Sequence, residues 1–117
     1  MTPAQLRRAG KGRTAPAMIA AAKSYEELVN AGTITEQQNP ADRRQRIAAD
    51  SRTTTGADGV PCVIPFFVDA AGVLIVCPYC GEMHTHGNGS SGYTGHRTAH
   101  CMSADSAAGY IIRNDGK

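Results

Sequence analysis

The sequence is short of the side chains that usually build a core. It has no tryptophan, two phenylalanines and four tyrosines, only 5% aromatic in all, and aromatic residues supply the largest buried areas in small domains. A hydrophobic core over 117 residues is then thin, and the length leaves no room for two conventional domains with separate cores. Long apolar runs are missing too. No segment approaches the ~20 consecutive apolar residues of a membrane helix, so a membrane protein is not expected. Neither sign of charge dominates. Twelve basic residues against ten acidic ones leave +2, too little for composition alone to announce a nucleic-acid partner. A secretory leader is also not expected. The Ala15 to Ala22 stretch is mostly alanine and runs into a charged helical pattern, without the strongly apolar centre that a signal needs. A cytoplasmic protein with reduced thiols is the expectation.

What the chain has in excess is cysteine and histidine in one place. Three of its four cysteines and all four histidines fall within the 25 positions from Cys77 to Cys101. Cys77 and Cys80 have the C-x2-C spacing that closes on one tetrahedral ion, and Gly81 after them gives the turn its freedom. Fifteen residues later comes His96, followed by His100 and Cys101. His96 and His100 stand at a step that falls on one helical face. Thiolates are the softer ligands, so Cys77, Cys80 and Cys101 are expected to hold one structural zinc ion, with a histidine as the fourth. His96 and His100 lead for that place, while His84 and His86 stay open. If residues 82 to 86 form a strand, His84 and His86 share a face and can hydrogen-bond to the metal cysteines instead. Iron is the alternative to zinc, because thiolate and imidazole also hold it. Cys62, in an apolar run, is expected to be a small core residue.

Two kinds of segment precede and follow a polar linker at residues 53 to 60. Residues 1 to 59 carry nine basic and six acidic side chains, net +3, and residues 60 to 117 three basic and four acidic, net −1. Thr14 before Ala15 and Pro16 reads as a helix start and Gly32 as its stop. Met18, Ile19, Ala22, Tyr25, Leu28 and Val29 recur between them at three- and four-residue steps, a face that the zinc module or a partner must cover. Asn39, Pro40 and Asp42 read as the start of a second helix running to about Asp50. Beyond the linker, Pro61 to Val68 and Val73 to Val76 predict a β-hairpin around the turn Asp69 to Gly72, with Pro65 marking an edge or bulge. Tyr110 to Arg113 is a last candidate strand. The fold expected is α+β: a basic helical arm over residues 1–52, the linker, and a zinc-binding β module of zinc-ribbon or treble-clef type over 61–117. Zinc would there supply folding free energy that the core lacks, so its removal is expected to unfold residues 61 to 113 and to leave the helix little changed.

Competing chemistries fit less well. Cys-Pro-Tyr-Cys is also a thiol redox motif, but Gly81 and the His- and Gly-containing residues after it make a poor helix, and no βαβ context follows. A nucleic-acid deaminase needs proline before the first cysteine and an earlier glutamate, whereas Val76 precedes Cys77 and Glu82 comes after. A metal-dependent, HNH-like nuclease is the main alternative, since the histidines supply candidate bases. Glu82 is the only carboxylate between Cys77 and Cys101, which counts against it. The favoured reading is a non-enzymatic factor that binds nucleic acid, or a nucleic-acid-handling or regulatory protein. Its phosphate contacts are expected from Arg7, Arg8, Lys11, Arg13, Arg43, Arg44 and Arg46.

The string Cys77-Pro78-Tyr79-Cys80-Gly81, then His84-Thr85-His86-Gly87, then Gly95-His96-Arg97-Thr98-Ala99-His100-Cys101 resembles small uncharacterised zinc-finger-like proteins of actinobacteria, their plasmids and their phages. The likeness covers about 25 residues. It implies a metal site and a phage or mobile-element origin, and it transfers no activity. Within that pattern the His-x-His-Gly element and the terminal His-Cys pair are as characteristic as the knuckle, so all four histidines stay candidate ligands.

Overall fold

The structure is a computed structural model and describes residues 6, 8–10, 12–56, 58–69, 72–86, 95–97 and 109–113, the backbone alone at 95–97. The expected helix is α1 (Ala15–Asn30). Thr14 caps it through its hydroxyl, which accepts from the Ala17 N–H, and Gly32 follows its end at φ +80°. β1 (Ile34–Asn39) and β2 (Asp42–Asp50) form an antiparallel two-stranded ribbon. β3 (Thr54–Thr55), β4 (Pro61–Val63), β9 (Tyr110–Ile112) and β8 (Gly95–Arg97) make a four-stranded sheet in that order. β5 (Phe67–Asp69), β6 (Gly72–Val76) and β7 (Met83–His86) form a three-stranded antiparallel sheet. The architecture is α+β, as expected.

β6 organises the interior. All five of its residues are buried, and the pleat sends alternate side chains to opposite sides. Leu74 and Val76 join Met83, Ala21, Tyr25, Ile34, Ala48 and Phe66 in one apolar cluster. Val73, Ile75 and Cys77 join Val63, Tyr110 and Ile112 in the other. The central sheet is thus covered on one side by α1 and the ribbon, and on the other by β4 and β9. The apolar face of α1 is covered by the rest of the chain. Met18, Ala22, Leu28 and Val29 pack on the first cluster, and Ile19 alone of the expected face stays open, 71% exposed. Residues on both sides of the expected linker share that cluster, and within the linker Thr54 and Thr55 pair with β4.

Three expectations about the secondary structure need correction. The second helix is absent: residues 39 to 50 enter a hairpin instead. Asn39 and Asp42 use their side chains to accept from the Ala41 and Arg44 N–H groups, turn chemistry that resembles a helix cap in sequence. The strand expected from Pro61 to Val68 is two strands in different sheets. Pro65 has no N–H for a ladder, and the chain changes sheet there, with the Phe66 N–H donating to the Leu74 carbonyl. β4 and β9 run parallel, with Cys62 opposite Ile111 and Val63 opposite Ile112, so the β module is not wholly antiparallel.

Arg13, expected as a phosphate contact, is inside. Its side chain is 1% exposed, its Nε lies 3.1 Å from Asp69 Oδ2, and its Nη1 donates to the Thr85 hydroxyl at 2.9 Å. It ties the segment before α1 to β5 and β7. Removing one member of a buried charge pair leaves the other uncompensated. Arg13→Ala should therefore lower unfolding free energy by about 2–3 kcal/mol, while Arg44→Ala at the exposed ribbon tip costs less than about 0.5 kcal/mol, both measured by urea denaturation.

Candidate metal centre

The loop Cys77 to Glu82 joins β6 to β7, closed by the pair Val76 and Met83 and by the Cys77 N–H donating to the Glu82 carbonyl at 2.8 Å. Within it the Gly81 N–H returns to the Cys77 carbonyl, and the Tyr79 N–H points at Cys77 Sγ, 3.4 Å away. The register then selects the third donor. Ile75 stands opposite His84, and Cys77 lies two residues beyond Ile75 on the same face, so thiol and imidazole are diagonal neighbours. Cys80 completes the group, with its Sγ 3.2 Å from His84 Nε2. One donor atom from each of Cys77, Cys80 and His84 lies within 4.8 Å of the others. Tetrahedral bonds of about 2.0–2.3 Å to nitrogen and sulfur put ligand atoms roughly 3.5–3.8 Å apart, so the three fit around one ion with small adjustment.

Cys77 and His84 are buried and Cys80 is half-buried. Hydrogen bonding from Cys80 pulls the Cys77 thiol down to about 4. Burial opposes this, and His84 with the Cys80 and Tyr79 backbone supports it. The thiolate that a metal requires is thus favoured by its surroundings.

Gly81 fixes the loop against the ribbon. Its φ is +76°, and a Cβ there would lie 2.7 Å from Ile47 Cβ. Its carbonyl accepts from the Ala48 N–H at 2.8 Å. Between β2 and the loop lies a groove of about 340 Å³, with Ile47, Ala49, Pro78 and Tyr79 on its walls.

On the other side, His86 Nε2 lies 2.5 Å from the Tyr110 hydroxyl, both buried, with the rings edge to face at 5.4 Å. The Tyr79 hydroxyl donates to the Gly109 carbonyl at 2.6 Å, and its ring stacks on Tyr110 at 6.5 Å. Knuckle, β7 and β9 are therefore one connected structure. Of the residues expected to bind metal, Cys77 and Cys80 come together. The backbone of His96 lies in β8 opposite Ile111, and His100 and Cys101 fall outside the described residues. His84 joins the two cysteines directly, a role that the strand reading of residues 82 to 86 had placed in the surroundings of the site. The tyrosine hydroxyls that lock the loop to β9 had no signal in the sequence.

Gly81→Ala should destabilise the chain by about 2–3 kcal/mol in chemical denaturation, since it meets both a left-handed backbone and the ribbon. For as long as the chain stays folded, thiolate absorbance at 240 nm from Cys77 should persist until the pH falls through about 4. The folded-state value lies below the ordinary thiol value. This group's contribution to stability is therefore complete above that ordinary value and is lost as pH falls through the folded one. No family model, no curated protein and no solved structure matches the chain.

Proposed function

We propose that this chain is a non-enzymatic binding module held together by one structural zinc ion. The observation that carries the reading is the convergence of Cys77, Cys80 and His84 donors within 4.8 Å at the end of a doubly buried hairpin. Two thiolates and an imidazole suit zinc, and a structural zinc closes with four protein ligands. Cys101 is the favoured fourth, with His100 and His96 its rivals. Arg97 pairs with Tyr110, and Gly109 accepts from Tyr79, so the chain leaves β8 and returns to β9 beside the knuckle. Cys101, four residues past Arg97, has a reach of up to about 13 Å.

The hydrolytic alternative asks His84 or His86 to act as a base toward a substrate. His84 is 8% exposed and turned to Cys80, and His86 is 6% exposed and turned to Tyr110. Both arrangements favour structural roles, as does the scarcity of carboxylates around the knuckle. The module would dock on nucleic acid or on a protein that handles it, in keeping with the exposed arginines of β2 and with the phage and mobile-element resemblance. No helix among the described residues is long and apolar enough to cross a membrane, and the cytoplasm is the proposed location.

Elemental mass spectrometry should find one zinc per chain, retained by His86→Ala and lost by Cys77→Ser, Cys80→Ser, His84→Ala and Cys101→Ser. Iron at the same stoichiometry would change the metal and keep the site. Because Ala21 and Tyr25 of α1 pack with Leu74, Val76 and Met83, chelation should remove the helical signal at 222 nm together with the β structure, rather than leave α1 behind. A chain that keeps its circular dichroism and melting temperature after complete zinc removal would refute a structural role for the ion.

A further inference from the structure

The β1–β2 ribbon extends well past the core that anchors it. Ile34, Ala48 and Asp50 at its base are buried, and from Thr35 to Ile47 no residue is. Two-stranded hairpins are marginal in water without support, and this one directs its amide and carboxylate side chains to its own tip. Gln38 Nε2 donates to the Arg43 carbonyl at 2.7 Å, and Asn39 Nδ2 to Gln45 Oε1 at 2.5 Å. Asn39 and Asp42 accept from the backbone of the turn. Pairing passes from Gln38 opposite Arg46 to Asn39 opposite Asp42, so Arg43, Arg44 and Gln45 bulge from β2 with no residue of β1 across from them. Arg43, Arg44 and Arg46 are all exposed, and Arg46 also acts electrostatically on the Tyr25 hydroxyl. Asp42 is the only acidic residue between Gln37 and Ile47.

We propose that this ribbon is a duplex-DNA-binding element that enters the major groove and sets its three arginines on phosphates and base edges. The inference deepens the binding-module reading and rests on it. The B-form major groove, about 12 Å wide, admits a two-stranded β-ribbon. The deep, narrow major groove of an RNA duplex does not. The part of β2 outside the core, Asp42 to Ile47, has six residues, about 20 Å at extended rise, which still exceeds the width of such a groove. Arginine suits both targets, since its planar fork pairs with phosphate and with the guanine edge. The ribbon tip has no apolar side chain larger than Ala41 and Pro40 before Ile47, which argues against a lipid surface. Docked through Gly81 and Ala48, the ribbon is held to the knuckle at its base while its tip remains open.

The test is fluorescence anisotropy of the zinc-loaded full chain on a mixed-sequence 20-base-pair DNA duplex between 50 and 200 mM salt. Three phosphate contacts account for a salt slope of about −2.7 and a loss of affinity of about 40-fold across that range. The triple variant Arg43→Ala, Arg44→Ala, Arg46→Ala should bind at least tenfold more weakly at 50 mM, with a slope shallower by about 2.7. Its circular dichroism should match the wild type. Arg44→Glu alone provides the comparison if the triple variant does not fold. Lys23→Ala, on the exposed side of α1, should bind as the wild type does. The proposal is overturned if the folded wild type does not bind this duplex, if the triple variant binds equally well, or if the matching RNA duplex is bound as tightly. Zinc content measured on the same sample separates the two readings. One zinc without DNA binding removes the ribbon proposal alone, whereas arginine-dependent DNA binding by a zinc-free chain removes the structural metal alone.

Discussion

Val76 faces Met83 and Ile75 faces His84 across β6 and β7, and much of the molecule depends on that alignment. It turns Cys77 and His84 to the same side as Val73 and Ile75, where β4 and β9 wait, and it turns Leu74, Val76 and Met83 to the side of α1. A slip of one residue would exchange the two faces, placing a thiol among the residues packed on Tyr25 and a valine among the metal donors. The short loop from Cys77 to Glu82 resists that slip through its own hydrogen bonds. Site and core are thus specified by the same register.

Gly81 joins this hairpin to the ribbon. The ribbon buries little of its own surface, and its base is held by Ile34 and Ala48 in the first cluster and by the hydrogen bond from Ala48 to Gly81. Tyr25 adds a polar tie from α1. Its hydroxyl donates to Glu36 Oε2 at 2.6 Å, and burial pushes it up to about 12, with the Arg46 guanidinium pulling the other way. An element with almost no core of its own is thereby oriented by three contacts at its root.

Much of this was legible in the sequence where chemistry and periodicity agree. Thr14 and Gly32 bounded α1, the Val73 to Val76 run marked a buried strand, and the C-x2-C-Gly string marked the knuckle. The misreading at Asn39 to Asp50 has a physical cause. Asparagine and aspartate satisfy backbone N–H groups in turns as readily as in helix caps, and the arginine-rich stretch that follows has no period of either kind. The ribbon partner β1 went unread because a single buried residue, Ile34, carries its packing. Position 84 was readable only with the register in hand, since strand alternation shows that His84 and His86 share a face but not which residue of β6 lies opposite. Arg13 shows the limit of counting charges. A basic residue beside Lys11 looks like part of a solvated cluster until Asp69, far along the chain, is folded against it.

The parallel pairing of β4 with β9 bears on how the chain assembles. Val63 and Ile112 meet about 50 residues apart in sequence, and joining strands so distant costs loop entropy before any contact compensates. The β6–β7 hairpin is local by comparison and shortens the intervening path once it closes. Chain entropy therefore places the outer sheet late in folding, after the knuckle has formed, with Tyr79 already positioned to receive the strand that begins at Tyr110.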